Sequence, residues 1–324
     1  MTRILPISDP DTREAALEVL RRGAPVALPT ETVYGLAADA TSPTAITSIY
    51  ETKGRPRFNP LISHVADIEM ARTHVTFSPV AERLAETFWP GPLTLVLPLR
   101  EDSGIHPLAT AGLATAAVRM PEGFARELIA AFGRPLAAPS ANRSGRVSPT
   151  TAQHVADDLG DRIDLIVDGG PCRVGLESTI LAIDGTQLRL LRPGGIPVEL
   201  IEEATGRPVE RPPSQPDGDG IIAPGMLASH YAPNAGVRLN ASKASPGEVV
   251  IRFGGERLEG EDSAKTVLDL SPTGDLREAA ANLFDMLKRA DATGATSIAV
   301  AHVPGHGLGE AINDRLKRAA APRP

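Results

Sequence analysis

Polar and apolar positions between residues 11 and 200 alternate between helical spacing and short apolar runs, the pattern of a sheet crossed by helices. The first helix, DTREAALEVLRRG, has acids in its first turn, arginines in its last and Gly23 just beyond. Strand PVALP follows. Helices are then predicted over PTAITSIYETKG, PVAERLAETF, FARELIAAFG and TAQHVADDLG, and strands over LISHV, LTLVLPL, AAVRM, PLAAP and DLIVDGG. In STILAIDGTQLRLLRPGG two apolar runs flank Asp184-Gly185, the signal for an antiparallel hairpin, so the sheet is expected to be mixed. GRPVERPPSQPDGDG is dense in proline, glycine and charge and reads as an exposed linker. After it, EVVIRF, KTVLDLS, the helix DLREAAANLFDMLKRADATG, SIAVAHV and the helix GEAINDRLKRAA form a second, smaller α/β unit. The expected division is residues 1–205, a linker at 206–235, and 236–324.

Length and composition agree with this division. A chain of 324 residues exceeds the usual single domain, and 42% hydrophobic with 23% charged residues is ordinary globular composition. No apolar run approaches the roughly 20 residues of a membrane span. The start, MTRILPISDPDTREAALEVL, lacks the apolar core of a signal peptide, so a cytoplasmic location is expected. A single cysteine, Cys172, excludes an internal disulfide framework and a multi-cysteine zinc site, and GGPCRVG offers it no neighbouring base. The net charge of −7 and 3% aromatic content argue against an extended nucleic-acid surface but leave room for a local positive pocket.

Chemistry concentrates in short polar motifs at predicted strand ends, where open α/β sheets place ligands. In PTETVYGLAADA, Thr30, Glu31 and Thr32 follow strand PVALP directly; the segment is either part of a site or a capped turn into a helix. KGRPRFNPLISHV gathers Lys53, Arg55 and Arg57, with Asn59 and His64 nearby; the run suits a polyphosphate or is a solvated basic turn, and His64 alone suits a core position as well as a site. PSANRSGRVSPT sets Ser140, Asn142, Ser144 and Ser148 around Arg143 and Arg146, with Gly145 allowing backbone amides close to a phosphate; Ser148 or Thr150 serves equally well as a helix cap. Thr115 and Arg119, Ser178 in ESTI, and Arg192 in LRPGG complete a set of hydroxyls and arginines at strand ends. Neither GxxxxGK[ST] nor a convincing GxGxxG is present. WPGPLTLVL, with Trp89, Pro90, Gly91 and Pro92, reads as a turn feeding a buried strand.

PTETVYGL, K-x-R-P-x-x-N-P-L-I-x-H, W-P-G-P-L-T, V-R-M-P, P-S-A-N-x-S-G, E-S-T-I and L-R-P-G, in this order, resemble the long, two-domain form of the YrdC-type threonylcarbamoyl-AMP synthases. SHYAP at Ser229–Pro233 and GLGEAINDRLKRAA at Gly307–Ala320 resemble the linker and C-terminal domain of that form. The resemblance implies a twisted mixed-sheet YrdC-like domain with a central basic cleft and a smaller Rossmann-like α/β domain. It implies a reaction of L-threonine, bicarbonate and ATP, with magnesium accompanying the nucleotide, and a downstream tRNA threonylcarbamoyltransferase complex as recipient. Carried over residue by residue, Thr32, His64, Arg119, Ala138 and Ser178 would hold threonine. Arg55, Asn59, Thr115, Ser140, Ser148 and Arg192 would hold ATP, with Lys53 and Asn142 near its phosphates, Lys53 and Arg55 as the catalytic pair, and Tyr231 on a lid over the nucleotide. Two alternatives stay open at this level: a non-catalytic RNA-binding maturation factor with the same fold, and a carbamoyl-transferring enzyme.

Overall fold

A computed structural model of the chain describes residues 2–56, 59–211 and 231–322. The first unit contains β1 (Arg3–Pro6), α1 (Thr12–Arg21), β2 (Val26–Leu28), β3 (Gly35–Asp39), α2 (Pro43–Lys53), β4 (Ile62–His64), α3 (Ile68–His74), α4 (Pro79–Phe88), β5 (Leu93–Pro98), α5 (Pro107–Thr110), β6 (Thr115–Arg119), α6 (Phe124–Phe132), β7 (Leu136–Ala137), α7 (Ala152–Leu159), β8 (Leu165–Asp168), β9 (Thr179–Asp184), β10 (Gln187–Arg192), α8 (Val198–Thr205) and β11 (Val209–Glu210). Its strands form one mixed sheet in the order β1-β8-β2-β3-β7-β4-β6-β5-β9-β10-β11. The hairpin expected around Asp184-Gly185 is the antiparallel β9–β10 pair, with Asp184 opposite Gln187.

Helix ends follow local chemistry. Ser42 accepts from the Ala45 N–H ahead of Pro43, and α2 ends on Gly54 at φ 59°, a left-handed position that glycine adopts without strain. Ser78 with Pro79 starts α4 in the same way. The cap of α7 is Thr151, which accepts from His154 N–H; neither Ser148 nor Thr150 has that role. PTETVYGLAADA turns into strand β3 rather than into a helix. Its small residues carry little strand propensity, but the β2–β3–β7 pairing needs them: a Cβ on Gly35 would lie 3.3 Å from that of Ala138.

The second unit comprises β12 (Gly236–Arg238), β13 (Val249–Arg252), β14 (Thr266–Asp269), α9 (Leu276–Ala292), β15 (Ser297–Val300) and α10 (Leu308–Ala320). Its sheet is parallel throughout, in the order β12-β15-β13-β14. This is the smaller Rossmann-like layer. The first sheet runs past the boundary expected at 205, because α8 crosses over to deliver β11 alongside β10, burying Val209. Most of the expected linker, together with Arg57, Ser229 and His230, lies outside the described residues.

Apolar side chains fill both faces of the large sheet. Leu17 and Leu20 of α1 meet Leu128 and Ile129 of α6 over Leu136 and Leu165 on one face; Ile46, Ile49, Leu84 and Leu95 occupy the other. A third cluster joins the two units: Val33, Val147 and Leu176 pack with Tyr231, Leu283, Phe284 and Ile312. The second unit is thus seated on the polar loops of the first, and those loops line the cleft.

Candidate functional site

The cleft opens where the ends of β2, β4, β6, β7, β9 and β10 converge. Its walls include Thr32, Arg55, His64, Arg119, Ala138, Ser140, Ser178, Arg192 and Tyr231, residues the sequence singled out, together with Val33, Ile62, Pro139 and Glu177. Register explains much of the convergence. Parallel β4 and β6 set His64 directly beside Arg119, and antiparallel β7 sets Leu136 beside His64, which brings Ala138 to the same rim.

One flank of the cleft is built on a buried ion pair. Arg119 Nη2 donates to Glu31 Oε1 at 2.5 Å, Arg119 Nε donates to the Gly91 carbonyl at 3.2 Å, and Glu31 Oε2 accepts from the Glu122 N–H. Glu31 therefore fixes the guanidinium rather than standing free at a strand end. Thr30 ties the turn by donating to the Val33 carbonyl at 2.6 Å, with Thr32 Oγ1 2.8 Å away. His64 is fully enclosed: burial first, then Arg119, lowers its pKa to about 3, so the imidazole is neutral near pH 7 and a weak base. Cys172 is buried as well; burial leads in pushing its thiol up to about 12, which removes nucleophilic thiolate.

A second group of buried polar residues centres on Arg55. Arg55 Nη2 donates to the Pro60 carbonyl at 3.1 Å, while its Nε, the Asn59 Oδ1 and the Asn142 Oδ1 are buried without a partner among the described residues. Buried polar atoms are rarely left so, and Arg252 Nε and Arg315 Nη2 share this state away from the cleft walls. Thr115 and Asn59 do not line the central cleft; the β4–β6 register, continued from the Ile62–Ala117 pair, sets Thr115 level with Pro60, next to Asn59. Lys53 Nζ donates to the carbonyls of Ser140 and Asn142, anchoring the PSAN turn from beneath, and burial drives its pKa well below the usual lysine value. In this arrangement it holds a loop and is not aimed at open space.

Ser148 also lies behind the wall. It donates to Glu177 Oε1 at 2.5 Å, and Glu177 Oε2 accepts from Arg315 Nε of α10 at 2.9 Å. Burial disfavours ionisation of Glu177, but Arg315, then Arg192 and Ser148, outweigh it and hold the carboxyl at about 2. The Arg315 guanidinium sits 5.1 Å from the centroid of Tyr231, which in turn stacks on Phe284 at 5.4 Å. Tyr231, at φ 61°, thus reaches the cleft as the first described residue after 212–230. Sequence reasoning placed Glu31 at a strand end without its partner Arg119, and missed Glu177 and Arg315 as site residues. Its available signal was two acids set inside otherwise basic or hydroxyl-rich motifs, since a carboxylate is the partner that best compensates a buried arginine.

Family models match nearly the whole chain. The Sua5/YciO/YrdC model, described as "Telomere recombination", matches residues 18–194, and "Threonylcarbamoyl-AMP synthase, C-terminal domain" matches 196–321. The chain belongs to the Sua5/YrdC family of threonylcarbamoyl-AMP synthases. Within that family it is 42% identical over 339 residues to the threonylcarbamoyl-AMP synthase of Bacillus subtilis, covering 100% of this chain and 96% of that one. The Pyrococcus abyssi threonylcarbamoyl-AMP synthase is 42% identical over 318 residues, 94% of this chain and 92% of that one. The crystal structure of P. abyssi Sua5 complexed with L-threonine superposes with a TM-score of 0.88 at 40% identity over 98% of both chains. E. coli YciO, at 21% identity and a TM-score of 0.54 over 60% of this chain, shares the fold alone.

Proposed function

We propose that this chain synthesises L-threonylcarbamoyl-AMP from L-threonine, bicarbonate and ATP, releasing pyrophosphate, and that the product supplies a tRNA threonylcarbamoyltransferase complex in the cytoplasm. The observation that supports the reading is one cleft lined both by the residues proposed to hold threonine, Thr32, His64, Arg119 and Ser178, and by those proposed to hold the nucleotide, Arg55, Ser140 and Arg192. Family membership and the bound threonine of the P. abyssi relative support it.

The chemistry follows from positioning. Threonine's carboxylate suits Arg119, whose orientation Glu31 fixes. The freed amine takes up the carbon of bicarbonate with loss of water, giving a carbamate. A carbamate oxygen attacks the α-phosphorus of ATP, and the bond to the β-phosphate oxygen breaks as pyrophosphate leaves. Negative charge on the phosphate oxygens is met by Arg55 and Arg192, preorganised in a buried site. No protein nucleophile is required. His64, neutral and weakly basic, contributes contacts and shape rather than proton transfer. Lys53 acts through the PSAN turn that carries Ser140 and Asn142.

The donor set does not fit a protein-held magnesium. Both carboxylates of the cleft are committed, Glu31 to Arg119 and Glu177 to Arg315, and the described residues contain no group of three possible metal ligands. Magnesium would therefore arrive on the triphosphate. The test is incubation with ATP, bicarbonate and labelled threonine: pyrophosphate and a labelled adenylate should form together. Pyrophosphate released without threonine, or none at all, would remove the proposal.

A further inference from the structure

Thr94 lies within β5, fully buried and outside the cleft walls, in the segment the sequence assigns to a plain strand. A hydroxyl there needs a reason. Its hydrogen-bond partner among the described residues is the hydroxyl of Ser178, Oγ1 to Oγ 2.7 Å, brought within reach by the parallel β5–β9 pairing that matches Leu93 with Thr179. Arg192 approaches the same serine: Nη2 donates to Ser178 Oγ at 3.2 Å, while Nε and Nη2 donate to the Ser178 carbonyl at 3.2 and 2.9 Å.

The direction of these bonds can be deduced. A guanidinium has no acceptor, so Arg192 always donates. Were Ser178 to donate to Thr94, the proton of Thr94 would be left in the core with no acceptor among the described residues, whereas buried donors are almost always satisfied. Thr94 therefore donates too. Ser178 Oγ accepts twice, and its own hydrogen is left for the cleft that it lines.

We infer that Thr94 is a positioning residue for substrate recognition: with Arg192 it makes Ser178 an obligate donor, so that Ser178 faces an acceptor oxygen of the amino acid and not its ammonium. The inference rests on the proposed contact between Ser178 and threonine. Calorimetric titration of threonine into the full chain tests it on Thr94→Val, Thr94→Ser, Ser178→Ala and the double variant Thr94→Val/Ser178→Ala. Thr94→Val keeps the shape of the side chain and removes the donor, and should weaken threonine binding about three- to tenfold with affinity for a non-hydrolysable ATP analogue unchanged. Thr94→Ser should restore it, and the double variant should bind no worse than Ser178→Ala, because one hydrogen-bond chain is lost only once. Thr94→Ala removes the same donor if the valine variant does not fold. Wild-type threonine affinity in Thr94→Val beside a loss in Ser178→Ala, or additive losses in the double variant, would overturn the inference and leave the Ser178 contact standing. Wild-type affinity in Ser178→Ala would overturn that contact, and the inference with it.

Discussion

Replacing Arg315 with Met tests how the second domain supports the cleft. Arg315 is fully buried on α10, donates to Glu177 at 2.9 Å and covers the ring of Tyr231. Methionine roughly fills the space but leaves Glu177 buried beside Ser148 with Arg192 as its remaining nearby cation. In the wild type, the fall of the Glu177 pKa from 4.5 to about 2 corresponds to roughly 3 kcal/mol in favour of the ionised form. Breaking a buried pair by removing one partner costs about 3–5 kcal/mol, which at about 2 °C per kcal/mol for a chain of this size lowers the melting temperature by about 6–10 °C. The sign with pH separates this from simple cavity formation. A depressed carboxylate contributes stability that is complete above 4.5 and lost as pH falls from there through about 2, so wild-type Glu177 is silent between pH 7 and 5. Without Arg315 the desolvated carboxyl titrates higher, and acidification over that interval should stabilise the variant relative to wild type. Scanning calorimetry at pH 7 and pH 5, with Glu177→Gln/Arg315→Met as the control that should recover much of the loss, reads both effects. An unchanged melting temperature, or a loss that neither acid nor the second substitution relieves, would refute the reasoning.

His64, lowered to about 3, takes up a proton in the unfolded chain below pH 6.5 but not in the folded one, so it withdraws about 2 kcal/mol of stability by pH 5; His64→Gln should show correspondingly less acid destabilisation between pH 7.5 and 5 in denaturant titrations. A Cβ at Gly194 would lie 2.3 Å from the Glu177 carbonyl oxygen and 2.4 Å from the backbone of Ser178 and Thr179. Gly194→Ala should therefore displace the ESTI strand start and lower threonine-dependent pyrophosphate release by more than about tenfold, whereas retained activity would show that the strand shifts harmlessly. Lys53→Met should free the carbonyls of Ser140 and Asn142 and raise the KM for ATP with little change in that for threonine; equal effects on both would argue against an anchoring role.

The sequence made the periodic elements readable and the packed ones obscure. α1, α4 and α7 have amphipathic patterns, the latter two with Ser78 and Thr151 as caps, and the Asp184-Gly185 turn announces its hairpin. β3, written Gly-Leu-Ala-Ala-Asp, has little intrinsic preference for a strand; it exists because small residues permit close pairing with β2 and β7, a tertiary cause invisible in a local window. The site shows the same division. Hydroxyls and arginines in motif positions were legible because their residue types announce polar recognition, and most of them line one cleft. Their supports were not. Arg315 is separated from Glu177 by 138 positions, and no local pattern links an arginine on a C-terminal amphipathic helix to a carboxylate at the start of β9.

That hidden layer explains why a protein of net charge −7 can carry a basic cleft. Lys53, Arg55, Arg119, Arg192 and Arg315 are buried around it, against the buried carboxylates Glu31 and Glu177. Burial lowers the pKa of Lys53, Arg55 and Arg192, so their charge is held at a cost in desolvation. The two carboxylates do not cancel this excess. Each is consumed in orienting one arginine, Glu31 with Arg119 and Glu177 with Arg315, and neither is free to neutralise Arg55, whose Nε has no partner among the described residues. A ligand with several negative charges would meet, in Arg55 and Arg192, cations already desolvated at the cleft wall, and that condition favours the stabilisation of charge that grows during phosphoryl chemistry. The second domain closes the far side of the Glu177 network with Arg315 and the Tyr231–Phe284 stack. The cleft's electrostatics are therefore a property of both domains, although every polar motif that first identified it lies in the first domain or at the end of the linker.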